Sequence, residues 1–376
     1  MAVTFTNGRI LIDGALHEGV DVGIDGGRIA AVGTGAQVGK IVDLGGAILA
    51  PGFIDSQVNG GGDVLFNADP SVEAIAAIGR AHARYGTTGF LPTLISDDLD
   101  VIRRGIAAVD AAIEAGVPGV LGIHIEGPFI NVARKGIHAA AHIRELDEDG
   151  YAALTGLRHG RTLVTLAPER TTPETIRRLV AAGVVVAAGH TDGRYDEICA
   201  AMDAGLSGFT HLFNAMSPLG SREPGTVGAA LGRADSWCAM IVDGFHVHPA
   251  TMRLAMRCKP HDRFMLVTDA MPTTGGDRSD FELQGRRIET LDGRLVDSNG
   301  TLAGSDLDMA RAVRNAVAML GVPIETALQM ASATPAAFLR LPGLGRIAPG
   351  GAASFVILDE AGVRATWIDG VCVFER

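Results

Sequence analysis

Four potential catalytic side chains lie at the ends of apolar segments that have the composition of buried β-strands. IHIE ends in the carboxylate of Glu126, AAGH ends in the imidazole of His190, FTH ends in that of His211, and VTDA contains Asp269. A carboxylate and two imidazoles that converge make a hydrolytic metal site with one coordination position left for water. The metal lowers the pKa of that water toward neutrality, and Asp269 is a candidate to take its proton and later pass it to a leaving group.

Each of these histidines also has a structural interpretation. The chain has 11 histidines, and a histidine after a strand is more often a hydrogen-bonded structural residue than a ligand. His124 lies two residues before Glu126 and faces the same side of the strand. We expect it to pack in the core, with support of the metal site as the alternative. The residue pattern alone therefore leaves both interpretations open.

The segments that must position these residues alternate between strand and helix. Helical patterns separate most of eight predicted strands, which are GFIDSQ, TTGFLPT, GVLGIHIEG, TLVTLAPE, VVVAAGH, GFTHLF, WCAMIVDG and FMLVTDA. Eight parallel strands covered by helices close a TIM (β/α)8 barrel, whose active sites lie at the C-terminal ends of the strands. Because Glu126, His190 and His211 fall at such ends, the predicted fold favours the metal interpretation.

Two connections in this predicted barrel are irregular. The link SPLGSREPGTVGAALGRADS, between the sixth and seventh strands, is rich in loop residues and less clearly helical. After the eighth strand, the polar segment GGDRSDFELQGRRIETLDGRLVDSNGTLAGS predicts a β-hairpin or an active-site loop. Two helical segments, SDLDMARAVRNAVAML and PIETALQMASATPAAFL, complete the barrel region.

Both ends of the chain have a different texture from the middle. Short β-rich pieces alternate with glycine turns, and Asn7-Gly8 and Asp25-Gly26 are hairpin-type turn signals. We expect one small β-sandwich domain built from both termini. The predicted domains are 1–50 plus 343–376 for the sandwich and 51–342 for the barrel.

Composition excludes several classes of function. A formal net charge of -11 argues against a nucleic-acid-binding protein, which normally carries a basic patch. No apolar run approaches the ~20 residues of a membrane helix, and no signal peptide is recognisable at the N-terminus. The four cysteines are scattered without a C-x-x-C pair, which favours buried free thiols in a reducing cytoplasm. The predicted localisation is therefore cytoplasmic.

Several motifs together resemble one known family. They are IHIEGPF, KGIHAA, AGHTDG, THLFNAMSPLGSREPG, VDGFHVHP, VTDAMPTTG and TLAGS, and they closely resemble the N-acetylglucosamine-6-phosphate deacetylases of the amidohydrolase superfamily. The resemblance spans essentially the whole chain. It implies hydrolysis of the N-acetyl group of N-acetyl-D-glucosamine 6-phosphate to glucosamine 6-phosphate and acetate, in amino-sugar catabolism.

The resemblance also assigns roles at the reacting end of the site. Glu126, His190 and His211 match the family's ligands for one divalent metal ion. Zinc is our first expectation for that metal, and iron, manganese and cobalt are the alternatives. Asp269 matches the general acid/base. His138, in KGIHAA, matches the residue that polarises the acetyl carbonyl and contacts the sugar.

Four further positions are implied to bind the rest of the substrate. Asn214 and Ala215 match residues that contact it, largely through backbone groups. Arg222 and His246 match a phosphate-binding pair that the family takes from the neighbouring subunit, so the resemblance implies a homodimer. A guanidinium can hold phosphate oxygens in a bidentate fork, and an imidazole adds a hydrogen bond.

The segment PGFIDSQVNGGG carries amides where some relatives carry two metal-binding histidines. Gln57 and Asn59 occupy those positions, and amide oxygens are poorer transition-metal ligands than imidazoles. We therefore predict a single-metal site in which these amides act through outer hydrogen bonds. The alternatives are an amidohydrolase for another acylated amino sugar or a cyclic amide, and a catalytically silent barrel that acts as a scaffold.

Overall fold

A closed barrel of eight parallel strands forms the centre of the protein. We describe it from a computed structural model, in which residues 2–376 are described. The strands are β1 (Phe53–Val58), β2 (Thr87–Ile95), β3 (Gly122–Glu126), β4 (Arg161–Leu166), β5 (Val185–Ala188), β6 (Gly208–Phe209), β7 (Trp237–Met240) and β8 (Phe264–Leu266). Each strand pairs with the next in chain order, and a bridge from Val58 to Ala270 joins β1 to the segment after β8. The predicted TIM (β/α)8 barrel is confirmed.

These segments form central strands because they are apolar on both faces. All six residues of β1 and all nine of β2 are buried, as expected where one face fills the barrel and the other meets the helices. Helices Val72–Ala83, Leu99–Glu114, Glu148–Leu154, Pro173–Ala181, Tyr195–Asp203, Gly225–Gly232 and Pro249–Ala255 follow β1 to β7 in turn. Helices Met309–Asn315, Ile324–Ala331 and Ala333–Phe338 follow β8.

Two of these helices differ from the expectations. The link between β6 and β7, predicted to be rich in loop, contains the helix Gly225–Gly232. Its three glycines lower the intrinsic helix propensity, so the helix depends on burial against the barrel. The short helix Glu148–Leu154 had no recognisable pattern, and its first turn is capped by the Asp147 side chain, which accepts from the backbone N–H of Gly150.

The two ends of the chain fold together into a β-sandwich, as predicted. One sheet contains Arg28–Gly33, Asp21–Asp25, Val3–Thr6 and Lys40–Asp43, and the other contains Val371–Glu375, Gly362–Ile368, Phe355–Asp359, Ile48–Pro51, Arg9–Ile12 and Ala15–His17. Phe5, Leu49 and Phe355 are among the fully buried residues of their shared core. The boundaries 1–50 plus 343–376 and 51–342 stay a prediction.

The polar excursion after β8 is a small antiparallel sheet. Its strands are Asp280–Leu283, Arg286–Leu291 and Arg294–Val296, and we call it the inserted sheet. Leu283, Ile288 and Leu295 pack from it against Ile95 and Ile137, close to the C-terminal ends of β2 and β3. The inserted sheet is therefore anchored by its own hydrophobic cluster at the end of the barrel where active sites are found.

A buried carboxylate reinforces the seam between β1 and β8. Asp55 accepts hydrogen bonds from the Thr268 hydroxyl at 2.5 Å and from the backbone N–H groups of Gln57 and Thr268 at 3.2 and 3.3 Å. Burial raises the pKa of Asp55 to about 7, although these hydrogen bonds oppose the rise. Because Thr268 precedes Asp269, this seam fixes the backbone of a candidate catalytic residue.

The cysteines are free thiols that differ in exposure. All four cysteines are free, but only Cys238 is buried; Cys199 is half-buried, and Cys258 and Cys372 are exposed. The expectation of buried thiols was wrong at those three positions, since Cys372 lies on an edge strand and Cys258 follows the helix Pro249–Ala255. Among residues 2–376, no helix combines the length and the apolar character required to cross a bilayer.

Candidate active site

Three predicted metal ligands meet at the C-terminal mouth of the barrel. Glu126 is the last residue of β3, and His190 and His211 each follow a strand end by two residues. Glu126 Oε1 lies 3.1 Å from His190 Nε2 and 2.8 Å from His211 Nε2, and the two imidazole nitrogens are 3.1 Å apart. The sequence prediction that strand ends would bring these three side chains together is therefore correct in geometry.

The hydrogen bonds of His190 show which of its nitrogens is free. Its Nδ1 lies 2.9 Å from the Arg134 carbonyl oxygen, which can only accept, so Nδ1 carries a proton. In the neutral ring, the Nε2 lone pair therefore faces Glu126 Oε1 and His211 Nε2. Such a backbone partner is typical of a metal-binding histidine, because it fixes the ring and its tautomer.

The spacing of the three atoms fits a small divalent cation. Ligand atoms around a tetrahedral zinc with bonds of about 2.0–2.1 Å are about 3.3 Å apart, and the three observed separations are 2.8–3.1 Å. Burial alone would raise the pKa of Glu126, but the adjacent imidazoles of His190 and His211 hold that pKa well below the usual value. The cluster is thus anionic at Glu126 and suited to a cation.

His138 offers a second possible ligand set with Glu126 and His190, since one atom from each of the three lies within 4.8 Å of the others. The Nδ1 atom of His138, however, accepts the backbone N–H of Ser96 at 3.2 Å and lies 2.7 Å from the Ser96 hydroxyl. Burial holds the pKa of His138 well below its ordinary value, so the ring is neutral. Its proton is then on Nε2, which makes His138 a hydrogen-bond donor rather than a ligand.

Asp269 is held by the two amides of the first strand. Gln57 Nε2 donates to Asp269 Oδ1 and to Glu126 Oε2, both at 3.1 Å, and Asn59 Nδ2 donates to the same Asp269 oxygen at 2.6 Å. Burial and the charge of Glu126 raise the pKa of Asp269 to about 7. The amide oxygens of Gln57 and Asn59 are buried without a partner. Gln57 therefore links the two carboxylates, Asn59 adds a second donor to Asp269, and each amide keeps its oxygen free.

The backbone at this mouth is held in uncommon conformations. His190, His211 and Asp269 have φ angles of 50°, 32° and 53°, and Phe213 and Ala215 have 80° and 52°. Non-glycine residues seldom adopt positive φ, and such strain clusters at functional sites. The loop after β6 is braced by the Asn214 side chain, which donates to the His211 carbonyl at 3.1 Å, and by the Ala215 carbonyl, which accepts from Thr191.

The two predicted phosphate-binding residues lie in different surroundings. His246 Nδ1 is 2.6 Å from Asp243 Oδ2, and both side chains are largely buried. Arg222 lies exposed on the loop before the helix Gly225–Gly232, and no hydrogen bond or ion pair involves its guanidinium among residues 2–376.

Sequence reasoning missed the residues that orient the histidines. Ser96 fixes the tautomer of His138, and the carbonyl of Arg134 fixes that of His190. Nothing in the spacing of either residue signals this role, since the first contact crosses between loops and the second uses a backbone atom. His124 is a core residue, as expected, with its Nε2 atom 2.8 Å from the Thr165 hydroxyl.

A barrel with an acidic residue, two imidazoles and an aspartate at its strand ends defines a hydrolase of the metal-dependent barrel class. The sequence model described as "Amidohydrolase family" matches residues 48–373. The chain belongs to this amidohydrolase family, whose members are metal-dependent, and the carboxylate and imidazoles gathered around Glu126 form a candidate metal site within it.

Individual proteins of this family are similar to the chain over nearly its whole length. An N-acetylgalactosamine-6-phosphate deacetylase from Shewanella sp. (strain ANA-3) is 42% identical, over 98% of this chain and 95% of that protein. The crystal structure of N-acetylglucosamine-6-phosphate deacetylase from Pasteurella multocida has a TM-score of 0.96 at 32% identity, with 100% of both chains covered. A mutant of the Mycobacterium smegmatis enzyme in complex with N-acetyl-D-glucosamine-6-phosphate has a TM-score of 0.90 at 34% identity, over 99% of both chains.

The two possible ligand sets make different predictions for metal content. We expect His211→Ala to lose most of its bound metal, because it removes one of three converging ligand atoms. His138→Asn is expected to keep wild-type metal content, because the His138 ring offers a donor and no lone pair. Elemental analysis of both variants, purified in parallel with the wild type, measures the difference. Metal loss in His138→Asn with retention in His211→Ala would establish the other set.

Proposed function

We propose that this chain hydrolyses the N-acetyl group of N-acetyl-D-glucosamine 6-phosphate, releasing glucosamine 6-phosphate and acetate. The observation that carries the proposal is the buried cluster of Glu126, His190 and His211 with Asp269 tied to it through Gln57. The relatives named N-acetylglucosamine-6-phosphate deacetylase support the substrate. A physiological role in amino-sugar catabolism follows from the reaction.

Glu126, His190 and His211 would hold one divalent cation. We expect zinc, with iron, manganese and cobalt as alternatives that also accept imidazole and carboxylate ligands. When bound, such a cation lowers the pKa of a water molecule and polarises a carbonyl oxygen. The uncharged amides of Gln57 and Asn59 occupy the place of a second set of ligands, which supports a single-metal site.

Asp269 is the proposed general acid/base. Its carboxylate takes a proton from the attacking water and returns it to the departing amine, so one group serves both halves of the reaction. Burial and Glu126 bring its pKa to about 7, close to the operating pH, where a general acid/base is most effective. The N–H donors of Gln57 and Asn59 orient the carboxylate without neutralising it.

His138 is the proposed donor to the acetyl carbonyl oxygen. Its Nδ1 atom is occupied by Ser96, so its Nε2–H is available where negative charge develops during attack. A preoriented donor in a buried site stabilises that charge strongly. The strained loop at Asn214 and Ala215 would contact the sugar through its backbone.

Arg222 and His246 would hold the 6-phosphate, whose binding energy orients the acetamido group. His246 is oriented by Asp243, while the guanidinium of Arg222 lies exposed on its loop and is available to a second copy. We therefore propose a homodimer in which Arg222 completes the neighbour's phosphate site. We also place the protein in the cytoplasm, on the basis of its four free cysteines.

A second candidate substrate is N-acetyl-D-galactosamine 6-phosphate. The relative with that activity in its name is 42% identical over nearly the whole chain. The two sugars differ only in the orientation of one hydroxyl group, so the same catalytic residues would serve either reaction. Another acylated amino sugar and a cyclic amide are the alternative substrates. A catalytically silent scaffold would not need Asp269.

Acetate release tests the proposed reaction and the role of Asp269. We expect turnover of N-acetylglucosamine 6-phosphate, and a large preference for it over the unphosphorylated sugar. Asp269→Asn should lower kcat by about 10²–10⁴-fold with metal content unchanged. Since the basic form of Asp269 acts, its pKa is about 7 without a cation, and a bound cation favours the ionised carboxylate, wild-type kcat/KM should show an acid limb that lies below pH 7.

The parallel assay with N-acetylgalactosamine 6-phosphate separates the two epimers. A higher kcat/KM for that substrate would transfer the assignment to it. Substantial turnover by Asp269→Asn, with the same acid limb as the wild type, would show that another group moves the proton.

Mixing two inactive variants tests the shared phosphate site. In a heterodimer of Arg222→Ala and Asp269→Asn, one site contains Asp269 from the first chain and Arg222 from the second, and is therefore intact. We expect co-refolded or co-expressed mixtures to regain about a quarter of wild-type activity, since about half of the dimers are mixed and each has one good site. In the matched control, the variant Arg257→Ala takes the place of Arg222→Ala in the mixture with Asp269→Asn. Activity no higher than the average of the two parent variants would place Arg222 in its own chain's site.

A further inference from the structure

The inserted sheet reaches the candidate active site through one side chain. Gln284, at the turn between its first two strands, donates from Nε2 to the Ser96 carbonyl at 2.7 Å. Its Oε1 atom accepts the backbone N–H of Ala139 at 3.3 Å. One amide group therefore joins Ser96, which contacts the His138 ring, to Ala139, which follows His138 in the chain.

These two segments determine the orientation of the His138 ring. Ser96 contacts Nδ1 through both its backbone N–H and its hydroxyl, and Ala139 is the next residue along the chain from His138. A shift of Ser96 relative to the 137–139 segment would release the Nδ1 atom. Gln284 opposes that shift because it hydrogen-bonds to both.

Gln284 is held in place because the inserted sheet that carries it is anchored by a buried cluster. Ile95 and Ile137, which directly precede Ser96 and His138, share a buried cluster with Leu283 and Ile288 of the sheet. Arg286 adds a hydrogen bond to the Ile137 carbonyl at 3.3 Å. Gln284 itself has a φ of 50°, a costly conformation that the surrounding contacts must maintain.

The other end of the inserted sheet lies near the predicted phosphate-binding residue His246. The guanidinium of Arg294 lies 5.9 Å from the centre of the Phe245 ring, beside His246. A Cβ atom on Gly293 would lie 3.3 Å from that ring, so the turn packs closely against it. The sheet therefore spans from His138 to the neighbourhood of His246.

We propose that Gln284 is a positioning residue for His138 and that the inserted sheet is a fixed wall of the site rather than a lid. This inference rests on the proposed function of His138 as the donor to the acetyl carbonyl. Gln284 keeps Ser96 against Nδ1, and this keeps the proton of the neutral ring on Nε2. Both hydrogen bonds of Gln284 are needed, because one amide N–H and one amide oxygen fix two different segments.

Two substitutions of Gln284 test this role. Gln284→Ala removes both contacts, and Gln284→Glu keeps the acceptor for Ala139 but turns a carboxylate oxygen toward the Ser96 carbonyl. We expect each variant to lower kcat by about 10- to 100-fold, as for other residues that orient a catalytic group, with KM within about twofold of wild type. Glu282→Gln, an exposed change on the same sheet, is the control and should match the wild type.

A spectroscopic readout makes the test independent of the reaction. With histidines labelled with ¹⁵N, we expect His138 in the wild type to show an unprotonated Nδ1 and a protonated Nε2, and in both variants a mixture of tautomers. Unchanged His138 signals with unchanged kcat, or a raised KM with unchanged kcat, would overturn the positioning role. If the wild type releases no acetate, the proposed function fails, and the ¹⁵N spectra still decide whether Gln284 positions His138.

Discussion

The structure of this site depends on one buried carboxylate and the two imidazole nitrogens that face it. Glu126 is 2% exposed, and an unpaired ionised carboxylate at such a depth costs several kcal/mol. The carbonyl partner of His190 leaves that ring's lone pair directed at the carboxylate. Lone pairs and negative charge that converge in this way are stable together when a cation lies among them, and this constraint explains the rest of the site.

The barrel satisfies the constraint by placing each group at a strand end. β3, β5 and β6 lie close to one another in the sheet, so residues at or just past their C-terminal ends converge without long side chains. The positive φ angles of His190, His211 and Asp269 turn these residues toward the mouth. The seam at Asp55 and the amides of Gln57 and Asn59 then hold Asp269 beside the cluster.

Much of this arrangement was predictable from sequence because strand ends and apolar runs are local signals. The eight strands, the sandwich from both termini and the convergence of Glu126, His190 and His211 follow from such signals. The helix Gly225–Gly232 was less predictable, since its glycines weaken the local pattern and burial stabilises it. The support of His138 by Ser96 and Gln284 joins residues 188 positions apart, and no local pattern records such a contact.

The barrel mouth thus carries a buried carboxylate–imidazole cluster, and a small inserted sheet packs beside it. Metal titration tests the central claim most directly. Protein stripped of metal by a chelator is dialysed and assayed for acetate release from N-acetylglucosamine 6-phosphate while zinc is added back. We expect no turnover without metal and full activity at about one equivalent per chain. Full turnover by the metal-free protein, or activity that saturates only at two equivalents, would contradict it.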